Sequence, residues 1–101
     1  MAKFLITYYA GDMDSDPESI ASARRAFVRW VEQAGPALAE VGSPVRSAIT
    51  IGADIARDAV DRQPMMGWSV IEATDSDAAI RLMQDHPFIS RGGTLQISEP
   101  V

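Results

Sequence analysis

Two short runs, residues 3–9 and 65–73, decide most of what this chain can become, because each is apolar on both faces. In the first, Phe4, Ile6 and Tyr8 alternate with Leu5, Thr7 and Tyr9. In the second, Trp68 and Val70 alternate with Ser69, Ile71 and Ala73. β-Branched and aromatic residues at a period of two specify strands. A strand apolar on both sides belongs in the interior of a sheet that is covered from above and below.

Between and after these strands the signals change period. Asp16 caps a helix with Pro17 at its first position and Glu18 in the first turn. Ile20, Phe27, Val31, Ala34, Leu38 and Val41 trace a helical stripe, with Trp30 beside it. Gly35-Pro36 interrupts it, which predicts a kink or break followed by a short second segment to Val41. Gly42-Ser43-Pro44 reads as a stop. In residues 45–51, Val45, Ser47, Ile49 and Ile51 alternate with Arg46, Ala48 and Thr50, which predicts a second strand. Residues 52–64 leave two readings open. Ile55, Ala59 and Val60 suit one or two helical turns, while Asp54, Arg57, Asp58, Asp61 and Arg62 suit a solvated loop equally well.

After the strand at 65–73, Thr74 with Asp77, or else Asp75, caps a second helix carrying Ala78, Ala79, Leu82 and Met83 at helical spacing. Pro87 stops that helix by disfavouring the helical conformation at His86. Gly92-Gly93 turns the chain into a last strand, residues 94–99, where Leu95 and Ile97 alternate with polar neighbours as on a sheet edge. The order β-α-β-β-α-β is the α+β, ferredoxin-like arrangement: a four-stranded antiparallel sheet with two helices on one face. Two helices leave the other face bare, yet the two interior strands are apolar there as well. Burying it calls for a homodimer whose open sheet faces meet about a two-fold axis. An open-faced monomer is the competing reading.

Composition narrows the class of partner. The 101 residues form one domain, and 47% of them are hydrophobic, enough for a packed core. A net charge of −5 and a pI near 4.6, without any basic run, argue against nucleic acid or an anionic membrane surface as partner. No cysteine is present, which excludes disulfides, thiolate nucleophiles and cysteine-based metal sites. The N-terminal apolar run is too short for a signal peptide, and no stretch approaches a membrane span. The expectation is a soluble, cytoplasmic protein.

Five residues are candidates for chemistry. His86 is the single histidine, directly after Asp85, and a histidine with a carboxylate nearby suits proton transfer near neutral pH. Its ordinary structural role would be at the end of the second helix, against free carbonyls and the dipole. Arg24 lies at the margin of the first helix's apolar stripe, where its stem packs and its guanidinium reaches a cleft able to hold a carboxylate or phosphate. Set against that is a surface arginine paired with an acidic neighbour. Tyr8 and Tyr9 end the first strand pointing to opposite faces, and either hydroxyl can bond a ligand or simply be satisfied in packing. Asp12, Asp14 and Asp16 lack the glycine and terminal glutamate of a calcium loop, so no metal is expected there. No phosphate-binding glycine loop, paired-histidine motif or nucleophile elbow occurs, and no cofactor is expected.

The run Gly67-Trp68-Ser69-Val70-Ile71-Glu72-Ala73, then His86-Pro87-Phe88, then Gly92-Gly93-Thr94-Leu95-Gln96-Ile97 with Glu99, resembles the YCII-related family, grouped with the DGPF domains. The spacing of Phe27, Trp30, Gly35, Leu38 and Gly42-Ser43-Pro44 is similar to that group's first helix and following turn. The resemblance implies a dimeric α/β barrel. It also implies a cleft between sheet and helices for which a His–Asp acid/base pair has been suggested, in a superfamily of isomerases, dehalogenating enzymes and monooxygenases. The chain departs from the pattern in two places: its first helix has no histidine, the family's position falling near Arg24, and the Asp-Gly-Pro-Phe motif is missing.

Together these features point to a YCII-like small-molecule-binding protein, with Arg24 anchoring a small anionic ligand and Tyr8 and Tyr9 near it. His86 and Asp85 would serve cofactor-independent acid/base chemistry of the isomerase or lyase kind. The rival is a non-catalytic structural or regulatory homodimer.

Overall fold

The computed structural model describes residues 1–11, 16–46, 50–52, 55–56 and 65–101. The chain runs through β1 (Ala2–Tyr9), α1 (Pro17–Ala34), β2 (Leu38–Pro44), β3 (Thr50–Ile51), β4 (Ile55–Ala56), β5 (Met65–Ala73), α2 (Ser76–Met83), α3 (Pro87–Ser90) and β6 (Thr94–Ser98). Four strands form one antiparallel sheet in the order β2-β5-β1-β6, while β3 and β4 pair separately. The two strands apolar on both faces occupy the centre, as their composition requires. The fold is α+β, ferredoxin-like.

Local chemistry starts each long helix. The Asp16 carboxylate accepts the Ser19 backbone N–H at 3.0 Å and the Ser19 hydroxyl at 2.7 Å, and Pro17 follows at the first position. Those bonds hold the Asp16 carboxyl below its usual range. At α2 the cap is Asp75, whose carboxylate accepts the Ala78 N–H at 2.8 Å.

One face of the sheet carries the core. Phe4, Ile6 and Tyr8 of β1 and Ile71 and Ala73 of β5 are buried with Trp30 and Ala34 of α1 and Ala79 and Met83 of α2. In register, Phe4 opposes Ile71, and Ile6 opposes Ile97. Burying each large side chain here contributes roughly 1.5–3 kcal/mol. The opposite face presents Leu5 opposite Val70 and Thr7 opposite Trp68. Leu5 and Met66 remain 39% and 42% exposed, and Trp68 and Val70 are half-buried. Among the described residues, no helix covers that side.

The second quarter of the chain departs from its sequence pattern. Residues 38–41 do not extend the helical stripe. Gly35 takes φ +55, the chain reverses through a 3-10 turn at Gly35–Ala37, and Leu38 enters the sheet against Ile71. Hydrogen bonding to β5 there outweighs the helical period of Leu38 and Val41. Gly42-Ser43-Pro44 is therefore strand rather than stop. The register slips twice within β2, and Gly42 adopts φ +80 as its chain closes against the Trp68 carbonyl. The strand expected at 45–51 reduces to Val45 donating its N–H to the Met66 carbonyl at 2.9 Å and to the two residues of β3, with 47–49 outside the described residues. Ile55 is extended rather than helical, and Ala59 and Val60 lie outside the described residues. A third helix follows α2, because Pro87 stops one helix and occupies the first position of the next.

Candidate functional site

A cleft of about 320 Å³ opens between α1, α3 and the ends of β2 and β5. Tyr8 forms part of its floor, Ala23, Arg24 and Phe27 come from α1, and His86, Phe88 and Arg91 come from around α3. The backbone of residues 41–44 closes its edge. Thus Tyr8, Arg24 and His86, from three separated segments, line one cavity. Arg24 is exposed and is one of the residues that line the cleft, whose walls are chiefly apolar. Tyr9 and Asp85 stand apart from it. The Tyr9 hydroxyl donates to Gln96 Oε1 at 3.2 Å, and Asp85 is exposed. A second cavity of about 360 Å³ adjoins, with Ser19, Ser22 and Ser90 around it, sharing Ala23, Pro87 and Arg91 with the first.

His86 is 4% exposed and sits among aromatic rings, with centroids 4.4 Å from Trp30, 5.1 Å from Tyr8 and 5.7 Å from Phe27. As its position suggested, it lies at the carbonyl end of α2, where its backbone N–H donates to the Met83 carbonyl at 3.1 Å, but its ring serves the next helix. Its backbone is extended, and its Nδ1 accepts the Phe88 backbone N–H at 3.0 Å, so it caps the start of α3. Burial lowers its pKa to about 4. The imidazole is therefore neutral near pH 7. With Nδ1 accepting a bond, the proton resides on Nε2. That Nε2 is buried without a hydrogen-bond partner, alone in this among the described buried side-chain nitrogens and oxygens. Asp85 partners neither ring nitrogen, so the pairing expected from their adjacency does not form. Consecutive residues at a helix end diverge.

Tyr8 has its direction fixed in a similar way. Ser69 Oγ lies 2.7 Å from the Val41 carbonyl, which only accepts, so the serine proton is spent there. The Tyr8 hydroxyl, 2.8 Å from the same Oγ, must donate to it. Burial raises the Tyr8 pKa, opposed by the Ser69 bond, and the phenol stays protonated. His86 and Tyr8 thus bring no charge to the cleft near neutral pH. Two of its contributors were not singled out as candidates from the sequence: Arg91 and the bulged stretch 41–44. Gly93 lies behind Phe88, where a Cβ would meet the ring. The signals near them were Gly42-Ser43-Pro44, which read as a stop, and Gly92-Gly93, which read as a turn.

Fold and cleft together define a ferredoxin-like α+β protein with a pocket between its helices and one end of its sheet. Neither family models nor curated protein sequences match the chain. Among solved structures it is similar to 5-chloro-2-hydroxyhydroquinone dehydrochlorinase (TftG) from Burkholderia phenoliruptrix AC1100, determined in complex with 2,5-dihydroxybenzoquinone. The TM-score is 0.58 over 93% of this chain and 90% of that one, at 18% identity. At that identity the likeness establishes the shared fold. Among the described residues, no cluster of side chains fit to hold a metal ion occurs, and no helix is long and apolar enough to cross a membrane.

Proposed function

We propose that this is a YCII-like small-molecule-binding protein whose ligand, a small anion with an apolar body, enters the cleft between α1 and α3. One observation carries this: Arg24, Tyr8 and His86, distant in sequence, line a single apolar-walled cavity of about 320 Å³. Arg24 supplies the charge complement, since a guanidinium binds a carboxylate through two parallel bonds. The dehydrochlorinase of the same fold, solved with a small quinone, supports a small-molecule role for such a chain. Two copies pair through the open sheet face, where Leu5 and Met66 are exposed beside Val70 and Trp68. A base role for His86 is not carried forward, because Nδ1 is engaged by Phe88 and Nε2 already holds its proton. Asp85 is set aside with it.

Thermal-shift measurement of the wild type and Arg24→Ala against a panel of small aromatic and aliphatic carboxylates, with 2,5-dihydroxybenzoquinone included, tests the binding role. Stabilisation by at least one compound is expected, reduced in the variant. A panel that leaves the melting temperature unchanged throughout would favour the rival reading, a structural or regulatory homodimer.

A further inference from the structure

We propose that Phe88 sets the size of ligand that the cleft admits, and that Gly93 is the positioning residue that keeps its ring out of the cavity. The inference rests on the binding role proposed above and adds which wall of the cleft selects among ligands.

The two adjacent glycines serve different ends. Gly92 takes φ +96 and makes the turn after α3, whereas the φ of Gly93 is not positive, so its backbone would accept a side chain. What excludes one is space. A Cβ on Gly93 would overlap Cδ2 and Cε2 of the Phe88 ring and press on its Cζ. Gly93 is buried and stands outside the lining of the cleft, while Phe88 is half-buried and belongs to it. The space left by the missing side chain of Gly93 is therefore the seat of the ring. The backbone of Phe88 has little freedom to move instead. Its N–H donates to His86 Nδ1 at 3.0 Å, and its carbonyl accepts the Gly93 N–H at 3.0 Å. The Tyr8 ring meets the Phe88 ring edge-on, with centroids 5.6 Å apart, and Tyr8 is itself held by its bond to Ser69. A ring pushed off Gly93 thus has one unfilled volume to enter, the cleft that Phe88 lines, because a close-packed interior offers no other. That cavity, about 320 Å³, lies near the lower end of the range for small-molecule sites, roughly 300–1,000 Å³. Losing part of it to a phenyl ring decides which ligands fit.

Two substitutions move this wall in opposite directions. Gly93→Ala drives the ring into the cleft, and Phe88→Ala removes the ring. The probes are benzoate and 2-naphthoate, alike in their carboxylate and differing by one fused ring, with binding read by calorimetry. Relative to the wild type, Gly93→Ala should weaken 2-naphthoate about tenfold more than benzoate, the scale of forcing surplus atoms into a packed site. Phe88→Ala should shift the ratio the other way. The double variant should match Phe88→Ala, since the added methyl then has no ring to displace. An unchanged ratio in Gly93→Ala, with binding still dependent on Arg24, overturns the role given to the pair and leaves the binding function intact. A double variant that keeps the loss seen in Gly93→Ala overturns it as well, because Gly93 then acts other than through the ring. Should the wild type bind neither probe and no member of the carboxylate panel, the cleft is not a small-anion site and both proposals fall. Phe88→Ala adds no bulk, so its ratio decides the question even if Gly93→Ala does not fold: no change there means that the ring does not bound the ligand.

Discussion

The Tyr8 hydroxyl lies 2.8 Å from Ser69 Oγ, joining the two central strands beneath the helices, and the Ser69 hydroxyl continues to the Val41 carbonyl of the edge strand at 2.7 Å. Three strands are thus tied by a chain of donors whose direction is fixed at its end by a carbonyl. The chain holds β2 against β5 at the place where β2's own ladder is broken by bulges, and residues 41–44 of β2 form the edge of the cleft.

Removing the middle of that chain should cost more than removing its end. Ser69→Ala strands the Tyr8 hydroxyl and the Val41 carbonyl together, and Ser69 is 1% exposed, so water cannot replace it. A loss of about 2–3 kcal/mol is expected. Tyr8→Phe leaves the Ser69–Val41 bond in place and should cost about 1 kcal/mol. Urea unfolding of the two variants gives the order directly; a larger loss for Tyr8→Phe would mean the serine does not bridge the strands.

The edge strand also rests on a glycine that nothing else can replace. Gly42 combines φ +80 with a backbone so close to Trp68 that a Cβ would strike the carbonyl oxygen. Gly35 has a positive φ of 55 but open space around it. Gly35→Ala should therefore lose only the conformational term, about 1–2 kcal/mol, and Gly42→Ala that term plus the displacement of β2, about 3–4 kcal/mol in all. Denaturation midpoints decide it. Equal losses would show that φ alone matters and that β2 yields without cost.

The same features explain which parts of the fold the residues announce. The strands at 2–9, 65–73 and 94–98 and the helices from Pro17 and Ser76 follow from alternation, caps and helical spacing, because burial on one face imposes those periods. The edge strand at Leu38–Pro44 is hidden for a physical reason. Its Leu38 and Val41 continue a helical spacing by coincidence, its glycine and proline imitate a loop, and it is held by partners on β5 that no local pattern encodes. Arg24 is legible as a cleft residue, since its place beside Ala23 on the stripe follows from counting turns. The double engagement of His86 is not, since Pro87 reads equally as the end of one helix and the start of the next. Only the Nδ1–Phe88 bond decides between them.

Burial of His86 makes stability depend on pH in a definite direction. Its pKa falls from 6.5 to about 4 on folding, so between those values the unfolded chain binds a proton that the folded chain refuses. Stability is full above pH 6.5 and declines as pH falls toward 4, by up to about 3 kcal/mol from this group. Below pH 4 both states are protonated and this loss stops growing. Urea titrations at intervals from pH 7.5 to 4.5 should show the slope in the wild type and a shallower one in His86→Asn, which has nothing to titrate. Parallel slopes would assign the acid sensitivity to carboxylates rather than to the buried imidazole.

The open face of the sheet gives the last prediction. Leu5 stands opposite Val70 there, beside Thr7 and Trp68, and among the described residues nothing from the chain's own helices reaches it. A stable dimer interface removes about 800 Å² from each partner, and a sheet face supplies a flat, self-complementary surface for it about a two-fold axis. The wild type should therefore sediment at twice its 10.9 kDa mass at micromolar concentration. Leu5→Glu places two like charges near the axis in a desolvated layer and should shift the protein to one copy. Since Leu5 lies outside the helix-covered core, the variant's far-ultraviolet circular dichroism should not change. Its melting temperature should lose its concentration dependence. A wild type that sediments as a single copy, or a Leu5→Glu variant that remains paired, would show that this face is not the contact between copies, whatever its apolar character.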